Sequence, residues 1–374
     1  MNMVCRLVGD VCSSPIVLAC VVMLSGVSLA LGGPLTPPGG AVASSGRTLG
    51  EIEPRTPVND STTPGSTMAR YVIASPGSYY LTADVVAEAN KSGIQINADH
   101  VTLDLNGFQI RCTGPNALGE GLDTTSTRKA ISVRNGTIRG FGYATSPLRW
   151  EQCTFENLAI MDHSAGGLEG NFFACTFRNI RTTASTGEVG IGHCTNCVIE
   201  HCTVVGTFQG IDAGHGSVVR SCTVTNATTG INAYNHSVIE SCVVSNCQAG
   251  IDVTGASIVR DCVVAQCTTA GIRFKDGGRI TGCSLRSCAV GVLANTGAQG
   301  RTTIADNAIS QCPVGIRIQP APNWGAPTAC VLIRNTITAA STQTFDIAAG
   351  NAVAPLLTPS EIVTATNPFA NVRD

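Results

Sequence analysis

Short runs of alternating hydrophobic and polar residues cover most of the chain and recur at a fixed spacing. Val101-Thr102-Leu103-Asp104-Leu105 is one such run, with the period of two that is typical of β-strands. Gly-Ile or Gly-Val pairs begin at residues 190, 210, 230, 250, 271, 291 and 315, at spacings of 20, 20, 20, 21, 20 and 24. A rung of about 20 residues accommodates three short strands and three turns. The pattern therefore predicts a solenoid in which each strand pairs with its equivalent one turn later, about 4.8 Å away.

Cysteines follow the same period. They stand 12 residues after each of the first five glycines, at Cys202, Cys222, Cys242, Cys262 and Cys283. Asn307 and Asn335 take this place in later rungs, and the Cys-Thr-Phe runs at Cys153 and Cys175 are interpreted as earlier copies. A second column is formed by Cys247, Cys267, Cys288 and Cys312. In-register side chains point in parallel, so most of these thiols are expected to be buried, reduced and stacked rather than bridged.

The composition supports this interpretation. Only 13% of residues are charged, 5% are aromatic and Gly reaches 41. Leu is too scarce for leucine-rich repeats, and propeller blades need about twice the repeat length. The sequence thus predicts an all-β protein, a right-handed parallel β-helix of about ten rungs. A formal net charge of -2 gives no electrostatic field that would attract nucleic acid or an anionic membrane.

The N-terminus predicts export. An apolar run from Ile16 to Leu31 ends near the small-residue site Ser28-Leu29-Ala30, which indicates a signal peptide over residues 1–30. An uncleaved anchor and lipoprotein processing at Cys20 are the alternatives. Residues 31–70 have the Pro, Gly and Ser content of a linker, and residues 71–374 are expected to form the β-helix domain. We expect a secreted protein, extracellular or at the cell surface, with no transmembrane domain in the mature chain and an oligomeric state that the sequence leaves open.

Several stretches resemble a known family: Pro76-Gly77-Ser78-Tyr79-Tyr80-Leu81, Val101 to Phe108, Asn135 to Phe141 and the Gly-Ile rungs. From about residue 71 onward the chain is similar to the right-handed β-helix repeat proteins of the pectin-lyase-like superfamily. The resemblance implies extracellular work on acidic or complex polysaccharides. The superfamily also includes non-catalytic adhesins, so the fold alone does not select a function.

The densest group of metal-ligand residues is His193-Cys194-x-x-Cys197-x-x-x-His201-Cys202. A Cys-x-x-Cys with nearby His binds zinc in many proteins. However, Cys202 already belongs to the cysteine column, His201 has Ser221, Ser241 and Asp261 as its counterparts in later rungs, and a second Cys-x-x-Cys is missing. We predict no metal site here.

Two further segments, Gly214-His215-Gly216 and Arg273-Phe274-Lys275, are similar to polygalacturonase segments and occur in the same order. Hydrolysis by that family needs a cluster of carboxylates. One rung before His215 the chain has Gly192-His193-Cys194-Thr195, without aspartate. The sequence therefore argues against a hydrolase.

A polar strip follows each Gly-Ile pair. With Ile inward, the next residue points outward, as does the residue two positions further on. The first column reads Gly192, Asp212, Asn232, Asp252, Arg273, Leu293 and Arg317, and the second reads Tyr234, Thr254, Lys275, Asn295 and Gln319. The predicted substrate-binding residues are Asp212, Asn232, Asp252, Arg273 and Asn295, and the candidate catalytic residues are Lys275, Arg273 and Tyr234.

Two functions fit this strip. The first is a non-catalytic β-helix that binds an extracellular polysaccharide or has a structural role at the surface. The second is a polysaccharide lyase or epimerase acting on a uronate polymer. The second would use Ca²⁺ or a cation to stabilise the enolate-like intermediate, with Asp212 and Asp252 as Ca²⁺ ligands, Arg273 neutralising the carboxylate, and Lys275 or Tyr234 as base. Without that chemistry no cofactor is implied, and the strip is an ordinary solvated β face.

Overall fold

The computed structural model describes residues 54–114, 119–183, 189–294, 301–319 and 330–374. The predicted signal peptide and most of the predicted linker lie outside these ranges. Within the described ranges, no helix has the length and apolar character needed to cross a membrane.

Nearly all regular structure is β-strand. The first strands are β1 (Thr56–Val58), β2 (Ala69–Ile73), β3 (Gly77–Leu81), β4 (Val85–Ala87), β5 (Ser92–Ile96), β6 (Val101–Asp104), β7 (Gln109–Cys112), β8 (Glu120–Asp123), β9 (Arg128–Lys129), β10 (Ser132–Arg139), β11 (Tyr143–Thr145), β12 (Arg149–Glu151) and β13 (Thr154–Met161). The central strands are β14 (Leu168–Phe173), β15 (Thr176–Thr183), β16 (Val189–Thr195), β17 (Val198–Glu200), β18 (Thr203–Val205), β19 (Gln209–Ala213), β20 (Val218–Arg220), β21 (Thr223–Thr225), β22 (Thr229–Ala233), β23 (Val238–Glu240), β24 (Val243–Ser245), β25 (Ala249–Val253), β26 (Ser257–Arg260) and β27 (Val263–Ala265). The last elements are β28 (Ala270–Phe274), β29 (Gly278–Thr281), β30 (Ser284–Arg286), β31 (Val290–Ala294), β32 (Thr302–Ala305), β33 (Ala308–Ser310), β34 (Val314–Ile318), β35 (Val331–Ile333), β36 (Thr336–Thr338), β37 (Gln343–Ile347), β38 (Ala352–Val353), β39 (Leu356–Leu357), the one-turn helix α1 (Pro359–Ile362) and β40 (Asn371–Arg373).

These strands form parallel sheets along one solenoid. An 11-stranded sheet contains β9, β12, β14, β16, β19, β22, β25, β28, β31, β34 and β37, and is called the Gly-Ile sheet below. A 25-stranded sheet, the large sheet, forms the remaining faces, and β2, β5, β8 and β11 make a four-stranded sheet. The protein is a right-handed parallel β-helix of about 12 turns, slightly more than the ten expected. Strand β1 and the start of β2 lie within residues 31–70, the stretch expected to be a linker.

The predicted register of the Gly-Ile rungs is confirmed. Ile211 pairs with Ile231, and Ile231 with Ile251, so their glycines occupy equivalent places on successive rungs. All three isoleucines are fully buried. A Cβ added to Gly210 would lie 2.3 Å from the carbonyl oxygen of Gly230, so this close approach between rungs requires glycine.

The thiol columns are also present. Cys222, Cys242 and Cys262 are buried, and every cysteine in the described part of the chain is a free thiol. Asparagine replaces cysteine in the later rungs, as expected, and the asparagine side chains form a ladder of amide hydrogen bonds. Asn307 Nδ2 donates to Asn335 Oδ1 at 3.0 Å, and Asn335 Nδ2 donates to Asn371 Oδ1 at 3.0 Å.

One column assignment was wrong. Cys153 and Cys175 align with Cys197 and not with Cys202, because Phe155, Phe177 and Ile199, the residues two positions after them, are register partners. In the rung of Cys175, the position equivalent to Cys202 holds the apolar side chain of Ile180. The Cys-Thr-Phe runs belong to a different column because two corners of each rung carry cysteine.

The column that contains Cys197 continues as serine. The backbone N–H of Cys175 donates to Cys197 Sγ at 3.3 Å, that of Cys197 to Ser217 Oγ at 3.1 Å, and that of Ser217 to Ser237 Oγ at 3.3 Å. Cys and Ser interchange because both supply a small acceptor for the backbone of the preceding rung. The side chains of this column thus supply hydrogen-bond acceptors for backbone N–H groups at the buried turns of the solenoid.

Candidate functional site

The outward column of the Gly-Ile sheet has the register predicted from the sequence. Asp212, Asn232, Asp252 and Arg273 lie on four successive rungs. The predicted binding residue Asn295 lies outside the described residues.

The strip is not the solvated face that alternation suggests. Asp212, Asn232 and Asp252 are only 5%, 8% and 3% exposed. Longer side chains of the same strip cover Asn232 and Asp252. Asn232 Nδ2 donates to the hydroxyl oxygen of Tyr234 at 3.2 Å, and Lys275 Nζ lies 3.2 Å from Asp252 Oδ2.

The two candidate cations on this strip are already paired. The Arg273 guanidinium and the Lys275 amine both contact Asp252 Oδ2. The hydrogen bond to Asp252 raises the pKa of Arg273. Arg273 was expected to point freely to solvent and to bind a carboxylate. In the structure its side chain is 32% exposed and bound to a buried aspartate, so its removal would disturb the protein itself.

Two atoms of this ion pair remain without a partner in the described part of the chain. They are Oδ1 of Asp252 and Nε of Arg273. A ligand hydroxyl or water is a suitable partner for either atom.

A β-bulge reshapes the N-terminal end of the strip. Ile191 pairs with Ile211 and Cys194 with Ala213, so Gly192 and His193 of β16 together oppose the single residue Asp212 of β19. His193 has a φ of 55°, a left-handed conformation. Such a bulge re-aims one side chain and often stands beside a functional site.

The bulge places His193 between two carboxylates. His193 Nδ1 lies 3.4 Å from Asp212 Oδ2, and Nε2 lies 3.6 Å from Glu169 Oε1. Glu169 is not among the site residues predicted from the sequence, and it lies one rung before His193. The pair Gly167-Leu168 could have indicated Glu169 in the sequence. Leu168 is the register partner of the inward Ile191, so the next residue, Glu169, lies on the outward face.

His193 and Asp212 border a groove with a volume of about 410 Å³. It is lined by Asn171, His193, Thr195, Gln209, Asp212, Gly214, His215 and Tyr234. The rings of His215 and Tyr234 stand 5.7 Å apart between centroids, and Tyr234 is 39% exposed. Of the predicted residues, the groove brings together Asp212 and Tyr234. Arg273 and Lys275 belong to rungs further along.

The zinc alternative is not supported by the placement of its residues. Cys194 and Cys197 are buried in the core, whereas His193 points outward. His201 occupies a turn position with a φ of 55°, like Ser221 with 52°. Across the described ranges, no group of three or more His, Cys, Asp or Glu side chains is placed to hold a metal ion.

Comparisons with known proteins agree with the fold. Residues 174–344 match the family model described as periplasmic copper-binding protein (NosD). A search of curated proteins gives no match. The chain is a parallel β-helix repeat protein, as the resemblance in its sequence implied.

Solved structures with the same fold are distant in sequence. A mutant tailspike protein of E. coli bacteriophage HK620 is 12% identical over 80% of this chain and 60% of the tailspike, with a TM-score of 0.53. The mannuronan C-5 epimerase AlgE4 A-module of Azotobacter vinelandii is 13% identical over 79% of this chain and 91% of the module, with a TM-score of 0.54. Another mutant of that tailspike, in complex with a pentasaccharide, has a TM-score of 0.50 at 11% identity, covering 81% of this chain and 60% of the tailspike. The chain thus spans about 60% of the tailspike's length, and these similarities concern the fold alone.

Proposed function

We propose that this protein binds a polysaccharide outside the cytoplasm, in the groove between Asn171 and Tyr234 on the Gly-Ile sheet. The observation that carries the proposal is the convergence of amide, hydroxyl, imidazole and carboxylate groups from four successive rungs on one groove of about 410 Å³. Four rungs span roughly 14 Å, which leaves room for several linked sugar rings. Sites of this kind bind sugar hydroxyls through a few placed polar groups.

Other observations support the class of ligand and the location. Tyr234 and His215 offer ring faces against which the apolar face of a sugar packs. Two of the structurally similar proteins are described with a pentasaccharide and as a mannuronan epimerase. The matched family is described as periplasmic, and the N-terminal apolar run is typical of an exported chain.

Affinity electrophoresis through gels that contain neutral, cationic or anionic polysaccharides tests the proposal. We expect one class to retard the protein, and Tyr234→Ala to weaken binding by roughly tenfold, about 1.4 kcal/mol. Arg279→Ala, exposed on the large sheet, is the matched control and should bind normally. Free migration in every gel, confirmed by calorimetry with soluble oligosaccharides, would refute a glycan-binding role.

A polysaccharide lyase or epimerase is the second candidate. It is favoured by the presence of a phenol and two imidazoles in one groove, since Tyr234, His193 and His215 can each carry a proton. It is opposed by the pairing of Arg273 and Lys275 with Asp252, which removes the expected partner of a uronate carboxylate. Incubation with polyuronates, with and without Ca²⁺, distinguishes the two. Ultraviolet absorbance of unsaturated products would show a lyase, and NMR of the polymer would show an epimerase.

A further inference from the structure

We infer that the groove prefers glycans of amino sugars, whose ammonium groups Asp212 recognises, and disfavours polyuronates. This inference rests on the proposed glycan-binding function and specifies its ligand. It reverses the preference for acidic polymers that the sequence suggested.

The charge of the groove is the first argument. Asp212 lines the groove and contacts Nδ1 of His193, whereas Glu169 contacts Nε2 of the same ring from outside the lining. Their side chains are only 7% and 14% exposed. The groove has two imidazoles, those of His193 and His215, and it is net negative when they are neutral. The groove lining within the described residues contains neither Lys nor Arg. A uronate carboxylate placed here would meet like charges in a partly desolvated site.

The cations on the outward face of the sheet are the second argument, because the five described there, on Lys129, Arg149, Arg273, Lys275 and Arg317, each contact an acid of the same sheet. Arg149 Nε and Lys129 Nζ contact Glu151 at 2.6 and 2.9 Å. Further along, Arg273 and Lys275 share Asp252, and Arg317 Nε lies 2.7 Å from Asp346. A uronate chain along this sheet would have to break an existing ion pair to gain a cation.

The acceptor geometry is the third argument. Asp212 Oδ1 accepts a hydrogen bond from Asn232 Nδ2 at 2.9 Å, and its Oδ2 faces His193. The carboxylate is therefore held in place at the wall of the groove. The half-exposed ring of Tyr234 stands beside it and attracts a cation through its face. A buried acid next to an aromatic face suits an ammonium group attached to a sugar ring.

Calorimetry of the purified chain with three hexasaccharides of equal length tests the inference. The probes are a glucosamine hexamer, an N-acetylglucosamine hexamer and a galacturonate hexamer, at neutral pH and at two salt concentrations. We expect the glucosamine hexamer to bind at least tenfold more tightly than the galacturonate hexamer. Its affinity should fall as salt rises, because screening weakens the contact with Asp212 and Glu169.

Matched variants separate the site from the overall charge. Asp212→Asn should reduce glucosamine binding at least tenfold while leaving N-acetylglucosamine binding within about twofold. Glu169→Gln is the second variant and should act in the same direction if Asp212→Asn fails to fold. Asp306→Asn changes the net charge equally, lies on the large sheet and occupies a left-handed position that suits Asn, so it should have no effect.

The outcomes distinguish the inference from the function on which it rests. Tighter binding of the galacturonate hexamer, or equal binding of all three, overturns the preference but leaves a glycan-binding protein. If glucosamine binding is unchanged in both Asp212→Asn and Glu169→Gln, the preference does not come from this groove. If no hexamer and no longer polymer of any class binds, the proposed function itself is wrong.

Discussion

Eight charged side chains alternate in sign along one outward column of the large sheet. They are Asp104, Arg134, Glu156, Arg178, Glu200, Arg220, Glu240 and Arg260, each in register with the next. Its members are 20 to 22 residues apart in the sequence, except for the 30 residues between Asp104 and Arg134, and the glycine and cysteine columns do not indicate it. A slip by one rung would bring like charges together, so the ladder helps to specify the stacking register.

Glu200 is the most deeply buried member of the central part of this ladder. Arg178 Nε and Arg220 Nε each lie 2.6 Å from one of its carboxylate oxygens, and its side chain is 4% exposed. Burial acts to raise the pKa of Glu200, but the hydrogen bonds from Arg178 and Arg220 outweigh it and hold the pKa below its ordinary value. The charged Glu200 therefore stabilises the fold at pH values above the ordinary pKa of glutamate, and this stabilisation is lost as the pH falls through the lowered pKa.

Replacing this carboxylate tests the energetic role of the ladder. Glu200→Ala should lower the free energy of unfolding by about 1–3 kcal/mol, because two arginines lose their shared acceptor. Glu240→Ala is the control, since the Glu240 side chain is 21% exposed and its carboxylate contacts Arg260 alone among the contacts described, so about 0–1 kcal/mol is expected. Denaturant unfolding at neutral pH gives both values. Equal losses in the two variants would show that the burial of Glu200 has no particular importance.

His163 carries a second prediction at the residue scale. Its ring is 1% exposed, and Nε2–H donates to the carbonyl oxygen of Ile138 at 3.1 Å. Burial lowers the pKa of His163 to about 4 from an ordinary 6.5. The unfolded chain therefore binds a proton between these values that the folded chain does not, so stability falls as the pH decreases from about 6.5 to 4, by roughly 3 kcal/mol.

His163→Gln should remove this part of the pH dependence, because the amide can still donate to Ile138 but does not titrate. His201→Asn, at an exposed left-handed turn position, should leave the dependence unchanged. Thermal unfolding measured across this pH range compares the three proteins. If His163→Gln follows the parent curve, the loss of stability comes from other groups.

At the scale of single elements, the sequence predicted register better than exposure. Alternation correctly assigned Ile211 inward and Asp212 outward, because strand geometry fixes the face of each residue. It did not reveal that Tyr234 covers Asn232, or that Lys275 covers Asp252 of the preceding rung. Cover of this kind depends on side-chain conformations in neighbouring rungs, which a period does not encode.

The bulge in β16 shows a different limit. The extra residue in this strand is offset by a shorter turn, so Cys197 still stands 20 residues before its equivalent Ser217. Rung length therefore gave no indication that His193 had been moved beside Asp212. Glu169 was accessible in principle, since recognising Gly167-Leu168 as a rung start would have placed it outward.

The thiol column provides the prediction for this scale. Cys242 is fully buried, and its thiol donates to the carbonyl oxygens of Glu240 and Val219 at 3.3 and 3.6 Å. Cys242→Phe should overpack the column and lower the free energy of unfolding by about 1–3 kcal/mol. Cys242→Ser keeps both donor contacts and should be milder, as the serines of the neighbouring column suggest. Calorimetric unfolding temperatures rank the variants, and a Phe variant as stable as the Ser variant would contradict close packing here.

At the scale of the whole molecule, neighbouring rungs are the units of interaction. The backbone N–H of Val243 donates to the Cys222 carbonyl at 2.8 Å, and that of Val263 donates to the Cys242 carbonyl at 2.8 Å. Each rung thus depends directly on the rungs before and after it, and stability is approximately a sum of such local terms. The apolar core is continuous along the solenoid, and strand pairing among the described residues joins neighbouring rungs.

This organisation predicts a local response to a local defect. In Cys242→Phe, amide hydrogen exchange should accelerate in the rungs of Val224, Val244 and Val264, because overpacking weakens the bonds on both sides of the altered rung. Exchange at Ile94 and Leu122, in the four-stranded sheet many rungs away, should stay close to that of the parent protein. Cys242→Ser measured in parallel controls for the loss of the thiol. Equal acceleration along the entire chain would instead show that the β-helix opens as one cooperative unit, in which case the ends experience a central defect as strongly as its neighbours do.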